Sequence, residues 1–123
     1  MMEKIGKEVV DSAIQIHRAL GPGLLESAYE ACMVHELKLR GIHVSRQVPM
    51  PIHYKGVKVD VGYRLDLLLE NSVVVELKMV QSILPIHQAQ LLSYLKLGKF
   101  RLGYLLNFHV YRMKDGIKRM LNG

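Results

Sequence analysis

Asp66 and the run Glu76-Leu77-Lys78 stand nine residues apart, on either side of a turn-forming Glu70-Asn71-Ser72. Carboxylates and a lysine at this spacing are a combination that can handle phosphate. The flanking runs, Gly62–Leu69 and Val73–Met79, have strand composition. Side chains alternate faces along a strand, and opposed residues share a face. With a three-residue loop at Glu70–Ser72, Asp66 faces Glu76, Arg64 faces Lys78 and Leu68 faces Val74. The other face is then Tyr63, Leu65, Leu67, Leu69, Val73, Val75 and Leu77, apolar apart from one hydroxyl. A two-residue loop would mix Asp66 with Leu77, so the clean separation selects the three-residue loop.

Carboxylates opposed across a strand pair repel, and contact pushes one pKa up. A hard divalent cation, Mg²⁺ or Mn²⁺, relieves the conflict by taking carboxylate oxygens together with water and phosphate. The plainer reading makes Arg64, Asp66, Glu76 and Lys78 a solvated, salt-bridged sheet face. Leu68 and Val74 on the same face count against it, because a wet face usually stays polar throughout. A cation that activates water and neutralises phosphate, beside an ammonium that stabilises the transition state, suits phosphodiester hydrolysis.

The elements that must position these groups read as mixed α/β with an antiparallel centre, in the order ααββββαββ. Residues 3–20 form an amphipathic helix with Ile5, Val9, Ala13, Ile16 and Leu20 on one stripe, stopped by Gly21-Pro22. A second helix runs over 24–40 and places Glu26 one turn from Tyr29 and Glu30. Period-two alternation over 42–50 predicts a strand, and 52–59 a short hairpin around Gly56. A third helix over 84–97 has Pro85 in its first turn and ends at Gly98. On it, His87, Gln90 and Tyr94 lie one turn apart, with His87 placed to meet a phosphate. Residues 100–107 read as a further strand, and 110–120 as a last hairpin around Lys114-Asp115-Gly116.

Three of these features together resemble a known pattern. Asp66…Glu76-Leu77-Lys78 is similar to the D…E-x-K core of the PD-(D/E)XK nuclease superfamily, with Leu65 in place of the proline. Gly23-Leu24-Leu25-Glu26-Ser27-Ala28-Tyr29 resembles the G-x-x-E-x-x-Y signature of the small GxxExxY proteins of that superfamily. Gln90-Leu91-Leu92-Ser93-Tyr94 resembles the Q-x-x-x-Y helix of its RecB-type and lambda-exonuclease-like branch. The resemblance implies a restriction-endonuclease-like α/β core, a mixed central sheet flanked by helices, in one domain over 1–123. It implies a DNA nuclease dependent on Mg²⁺ or Mn²⁺, with Glu26, Asp66, Glu76 and the Leu77 carbonyl as metal ligands. Lys78 would then orient or deprotonate the attacking water or stabilise the phosphate, Gln90 would position water or Lys78, and Tyr94, His87 and Arg64 would meet substrate. Tyr29 reads as a core or bracing residue.

Composition sets the outer bounds. The 123 residues are 50% apolar and 23% charged, which fits a folded domain and not a disordered chain. No apolar run approaches the roughly 20 residues of a membrane span. The lone Cys32 excludes an internal disulfide framework and fits a cytoplasmic protein. Seventeen Lys and Arg against 11 Asp and Glu give +6, which suits a polyanionic partner around an acidic pocket. Two other readings compete with the enzyme. One is a non-catalytic nucleic-acid-binding module on a nuclease fold; the other is a small subunit of a DNA-processing complex. A homodimer or a partner protein would supply the grip that so small a domain lacks. DNA and RNA, and exonuclease, endonuclease and junction resolvase, stay open at this level.

Overall fold

The stripe of Ile5, Val9, Ala13 and Ile16 is buried along α1 (Met2–Leu20) in the computed structural model, which describes residues 1–123. Gly21 ends α1 at a positive φ of 74°, a conformation that glycine adopts without a Cβ penalty. The chain then enters α2 (Glu26–Leu39). Leu25 is still extended, so Glu26 opens the helix, two residues later than the apolar pattern suggests. Arg40 ties the two helices together, its guanidinium reaching Glu8, Asp11 and Glu36 at 3.0, 2.8 and 2.8 Å.

Five strands follow: β1 (Val44–Pro49), β2 (Ile52–Tyr54), β3 (Val57–Val59), β4 (Arg64–Leu69) and β5 (Val73–Lys78). Then come α3 (Pro85–Gly98), β6 (Leu102–Asn107), a 3-10 turn (Met113–Gly116) and β7 (Ile117–Leu121). The expected order ααββββαββ holds with one strand more in its first block, because the 52–59 hairpin contributes two strands that pair only with each other. The main sheet has the order β1-β4-β5-β6-β7. Its centre is not purely antiparallel. β4–β5 is antiparallel, but β5–β6 is parallel, as the α3 crossover between them permits. The tail also differs from a local hairpin: Lys114-Asp115-Gly116 falls in the 3-10 turn, and β7 pairs with β6.

Leu69 pairs with Val73, Leu68 with Val74 and Leu67 with Val75, so the β4–β5 loop has the three residues that the charge pattern requires. Helices α1 and α2 cover one side of the sheet, burying Leu67, Leu69, Val73, Val75 and Leu77 in a cluster of 20 residues. Gly6 lets α1 approach β6, since a Cβ there would strike the Tyr104 hydroxyl. On the other side α3 buries only eight residues, among them Leu68, Val74, Leu91 and Leu105. Leu65 belongs to this second cluster, and Tyr63 packs on Tyr94 of α3, with ring centroids 5.9 Å apart. Strict alternation along β4 placed both with Leu67. Alternation fails at Gln47 of β1, which has a left-handed φ of 49°, and the β1–β4 ladder skips the rung where Gln47 meets Asp66. No helix is long and apolar enough to cross a membrane.

Candidate active site

The skipped rung opens the strands where the carboxylates lie. Backbone pairing of β4 with β5 runs from Leu69–Val73 to Leu67–Val75. Beyond it, side chains take over. The Asp66 N–H donates to Glu76 Oε2 at 2.7 Å, and the Leu77 N–H donates to Asp66 Oδ2 at 2.8 Å. Each carboxylate is thus held by the opposite strand's backbone through one oxygen. Glu76 is buried and Asp66 half-buried, so this is not a solvated sheet face.

Lys78 follows Glu76 on the same side, and its Nζ donates to Gln90 Oε1 at 3.1 Å. Gln90 is exposed on α3; Tyr94, one turn on, is buried. Arg64 does not face Lys78. It turns toward β1, where Nη1 donates to the Gln47 carbonyl at 3.3 Å. His87 Nδ1 accepts the Leu84 N–H at 2.9 Å and so caps α3 with one ring nitrogen. The Leu77 side chain lies in the larger cluster, on the side away from Lys78.

Glu26 reaches the carboxylate group from the first turn of α2. Its pKa is raised by burial first and then by the negative charge of Asp66, while Lys78 pulls it down. Tyr29 fixes this end of α2. It is fully buried, stacks on Phe108 at 4.4 Å, donates its hydroxyl to the Gly21 carbonyl and accepts the Leu24 N–H at 3.1 Å. It braces the loop that presents Glu26, as expected of a core residue.

The three acids strain against one another. Burial pushes Glu76 up to about 8, helped by the Asp66 charge and opposed by the Asp66 N–H and Lys78. Burial also raises Asp66, with the Leu77 N–H pulling the other way and Glu30 adding to the rise. The Tyr94 hydroxyl is raised by burial and by the Glu76 charge. A cation among these carboxylates would relieve their repulsion. The donor set fits Mg²⁺ or Mn²⁺, being oxygen only. Even so, no three His, Cys, Asp or Glu side chains converge tightly enough to enclose an ion by themselves. An ion here would draw on water and substrate oxygens, as Mg²⁺ ordinarily does.

The family model of the PD-(D/E)XK nuclease superfamily matches residues 3–120. The chain belongs to the PD-(D/E)XK nuclease superfamily. No curated protein matches the sequence significantly. Among solved structures, the chain is similar to the crystal structure of SSO0001, at 20% identity and a TM-score of 0.58. That likeness concerns the fold; it covers 98% of this chain and 62% of SSO0001, so this chain spans less than two thirds of that protein.

In this PD-(D/E)XK chain, three residues beside the motifs were passed over in the sequence. Glu30 is buried and accepts from Arg46 Nη2 at 2.9 Å and from Gln47 Nε2 at 2.8 Å. Gln47 Nε2 also approaches Asp66 Oδ1 at 3.4 Å, linking α2 to the carboxylates through β1. Only the spacing of Glu30 from Glu26 hinted at this. Asn107 ends β6 fully buried. Its amide donates to the Val80 carbonyl at 2.9 Å and accepts the Val80 N–H at 3.2 Å, which anchors the chain just after Lys78. A polar residue closing a Leu-rich strand was the available signal.

Proposed function

We propose that this protein is a metal-dependent nuclease that hydrolyses phosphodiester bonds in DNA. The observation that carries the reading is the crossed arrangement of Asp66 and Glu76 on facing backbones, with Lys78 beside them on Gln90. Asp66, Glu76 and Glu26 would hold Mg²⁺ or Mn²⁺, with the Leu77 carbonyl as a further oxygen donor. Such an ion supplies an activated water and neutralises charge building on the phosphate.

The chain's own groups do the rest. Lys78 presents an ammonium where negative charge grows as the water oxygen attacks phosphorus and the bond to the leaving oxygen breaks. Gln90 holds Lys78 Nζ, so the ammonium needs little reorganisation when charge develops. One proton leaves the attacking water, and another reaches the leaving oxygen. The first passes to bulk water and the second is drawn from it, while Lys78, held on Gln90, keeps its charge beside the phosphate throughout. Arg64, His87 and Tyr94 would contact the strand being cut.

The test is cleavage of labelled linear, nicked and branched DNA with Mg²⁺ or Mn²⁺. Cleavage is expected, with loss on chelation and in Glu76→Ala and Lys78→Ala. Cleavage that is indifferent to either substitution overturns the reading. So does absence of cleavage of every substrate alongside salt-sensitive, metal-indifferent binding, which would instead identify a binding module.

A further inference from the structure

The β2–β3 ribbon takes no part in the main sheet. It leaves the body where Met50 N–H donates to the Tyr63 carbonyl at 2.8 Å, three residues before Asp66. It returns through a two-residue turn in which Lys55 and Gly56 both have positive φ, 48° and 82°, the type I′ geometry. The free part extends roughly 15 Å from its base. Register puts Ile52, Tyr54, Val57 and Val59 on one face, and His53 and Lys58 on the other, with Lys55 at the tip.

Two observations require a partner for this arm. Its apolar face is uncovered: Tyr54 is 63% and Val57 60% exposed, and nothing else in the chain pairs with either strand. A lone two-stranded hairpin is at best marginally stable in water. The charge then selects the partner's class. The ribbon carries Lys55, Lys58 and His53 and no acidic residue, whereas the nearby Arg40 and Arg46 are already paired with Glu8, Asp11, Glu36 and Glu30. Asp60 itself turns back to cap the Gly62 N–H at 3.2 Å. Lys58 and His53 lie on the face opposite the apolar one, so a second copy covering the apolar face would leave them unpartnered. A groove walled by phosphates engages both faces and the tip at once.

We infer that the β2–β3 ribbon is a substrate arm that enters a groove of duplex nucleic acid beside the bond to be cut. Lys55, Lys58 and His53 take backbone phosphates, and the Tyr54–Val57 face rests on sugar and base surfaces. A two-stranded ribbon has the width of the major groove. Because β1 and β4 run directly from the ribbon into Gln47 and Asp66, the arm's grip sets where the duplex lies relative to the carboxylates. The inference rests on the nuclease reading for its purpose, but not for its test.

The experiment measures binding of a fluorescent duplex by full-length protein across a salt series, in a Glu76→Gln background that separates binding from cleavage. The arm variants are Lys55→Glu with Lys58→Glu, and separately Tyr54→Ser with Val57→Ser. The lysine pair is expected to lower the slope of log affinity against log salt by about 2 and to weaken duplex binding by tenfold or more. The apolar pair is expected to weaken binding with the slope unchanged. Thermal melting of both should match the parent, since neither face packs on the core. Duplex affinity and slope unchanged in both variants overturn the arm. A dimer that sediments as monomer only when the apolar face is altered also overturns it, in favour of self-association. Arm-dependent duplex binding by a protein that cleaves nothing upholds the arm while the nuclease reading fails. Cleavage that ignores the arm does the reverse.

Discussion

The two sides of the sheet are built to different ends. The side under α1 and α2 buries 20 residues in one cluster, and its polar exceptions are few. The side under α3 buries eight, and the space left over holds Glu76 and Lys78, with Asp66 and Glu26 at its margin. Stability is drawn chiefly from the first side, which lets the second carry groups that repel one another. A buried carboxylate without a counter-ion is expensive. The molecule tolerates it because the hairpin bearing it is anchored from behind by Leu67, Leu69, Val73, Val75 and Leu77.

The sharpest way to separate the two sides is to remove charge from one and bulk from the other. Asp66→Asn, Glu76→Gln and Lys78→Ala are each expected to lower the cleavage rate by about 10³-fold, or roughly 4 kcal/mol in the barrier. Their melting temperatures should hold or rise, as read by kinetics and thermal denaturation on the same samples. Leu67→Ala should do the opposite. It is expected to cost about 3–4 kcal/mol of stability in denaturant titration, while the remaining folded protein keeps its rate per molecule. If Leu67→Ala is milder than Leu91→Ala on the α3 side, the comparison fails.

Next in size is a pH effect confined to the α3 side. The Glu76 carboxyl titrates in the fold at about 8, well above its ordinary value near 4.5. The folded state therefore binds the proton more tightly than the unfolded state. The stabilisation is complete below the unfolded pKa and is lost as pH rises through about 8, on the order of a few kcal/mol. Without divalent cation, denaturation midpoints should fall over that window, and Glu76→Gln should flatten the fall. Mn²⁺ should flatten it too, releasing protons as it binds. The smallest effect concerns Gln90. Losing its bond to Lys78 should reduce the rate roughly tenfold with little change in apparent substrate affinity, measured as kcat against KM. A change confined to KM would make Gln90 a binding residue and nothing more.

Much of the carboxylate geometry was legible because it is local. Nine residues separate Asp66 from Glu76, and the apolar alternation about Glu70–Ser72 leaves a single register. What escaped came from contacts between distant segments. Leu65 and Tyr63 change sides beside the unpaired rung where Gln47, on another strand, adopts a left-handed conformation. Nothing in a Gln-Val-Pro run announces that. Glu30, Arg46 and Gln47 form a network across 16 and 17 residues of chain. The end of α3 falls at Gly98 as read, for a different reason. Lys99 takes the left-handed position at φ 60°, and Gly98 is the last helical residue, with the Phe100 ring filling the space a Cβ would need.

The exchange of hydrogen bonds between Asp66, Glu76 and Leu77 makes the proposed active site a readout of completed folding. A β4–β5 hairpin that has not closed offers each carboxylate no backbone donor. A closed hairpin that lacks α3 leaves Lys78 without Gln90. Chains still on the ribosome, or opened locally by heat, would carry all the acids and the lysine yet present them to no common point. Under the nuclease reading proposed above, inertness before assembly is then a property of the sheet, requiring no separate inhibitor.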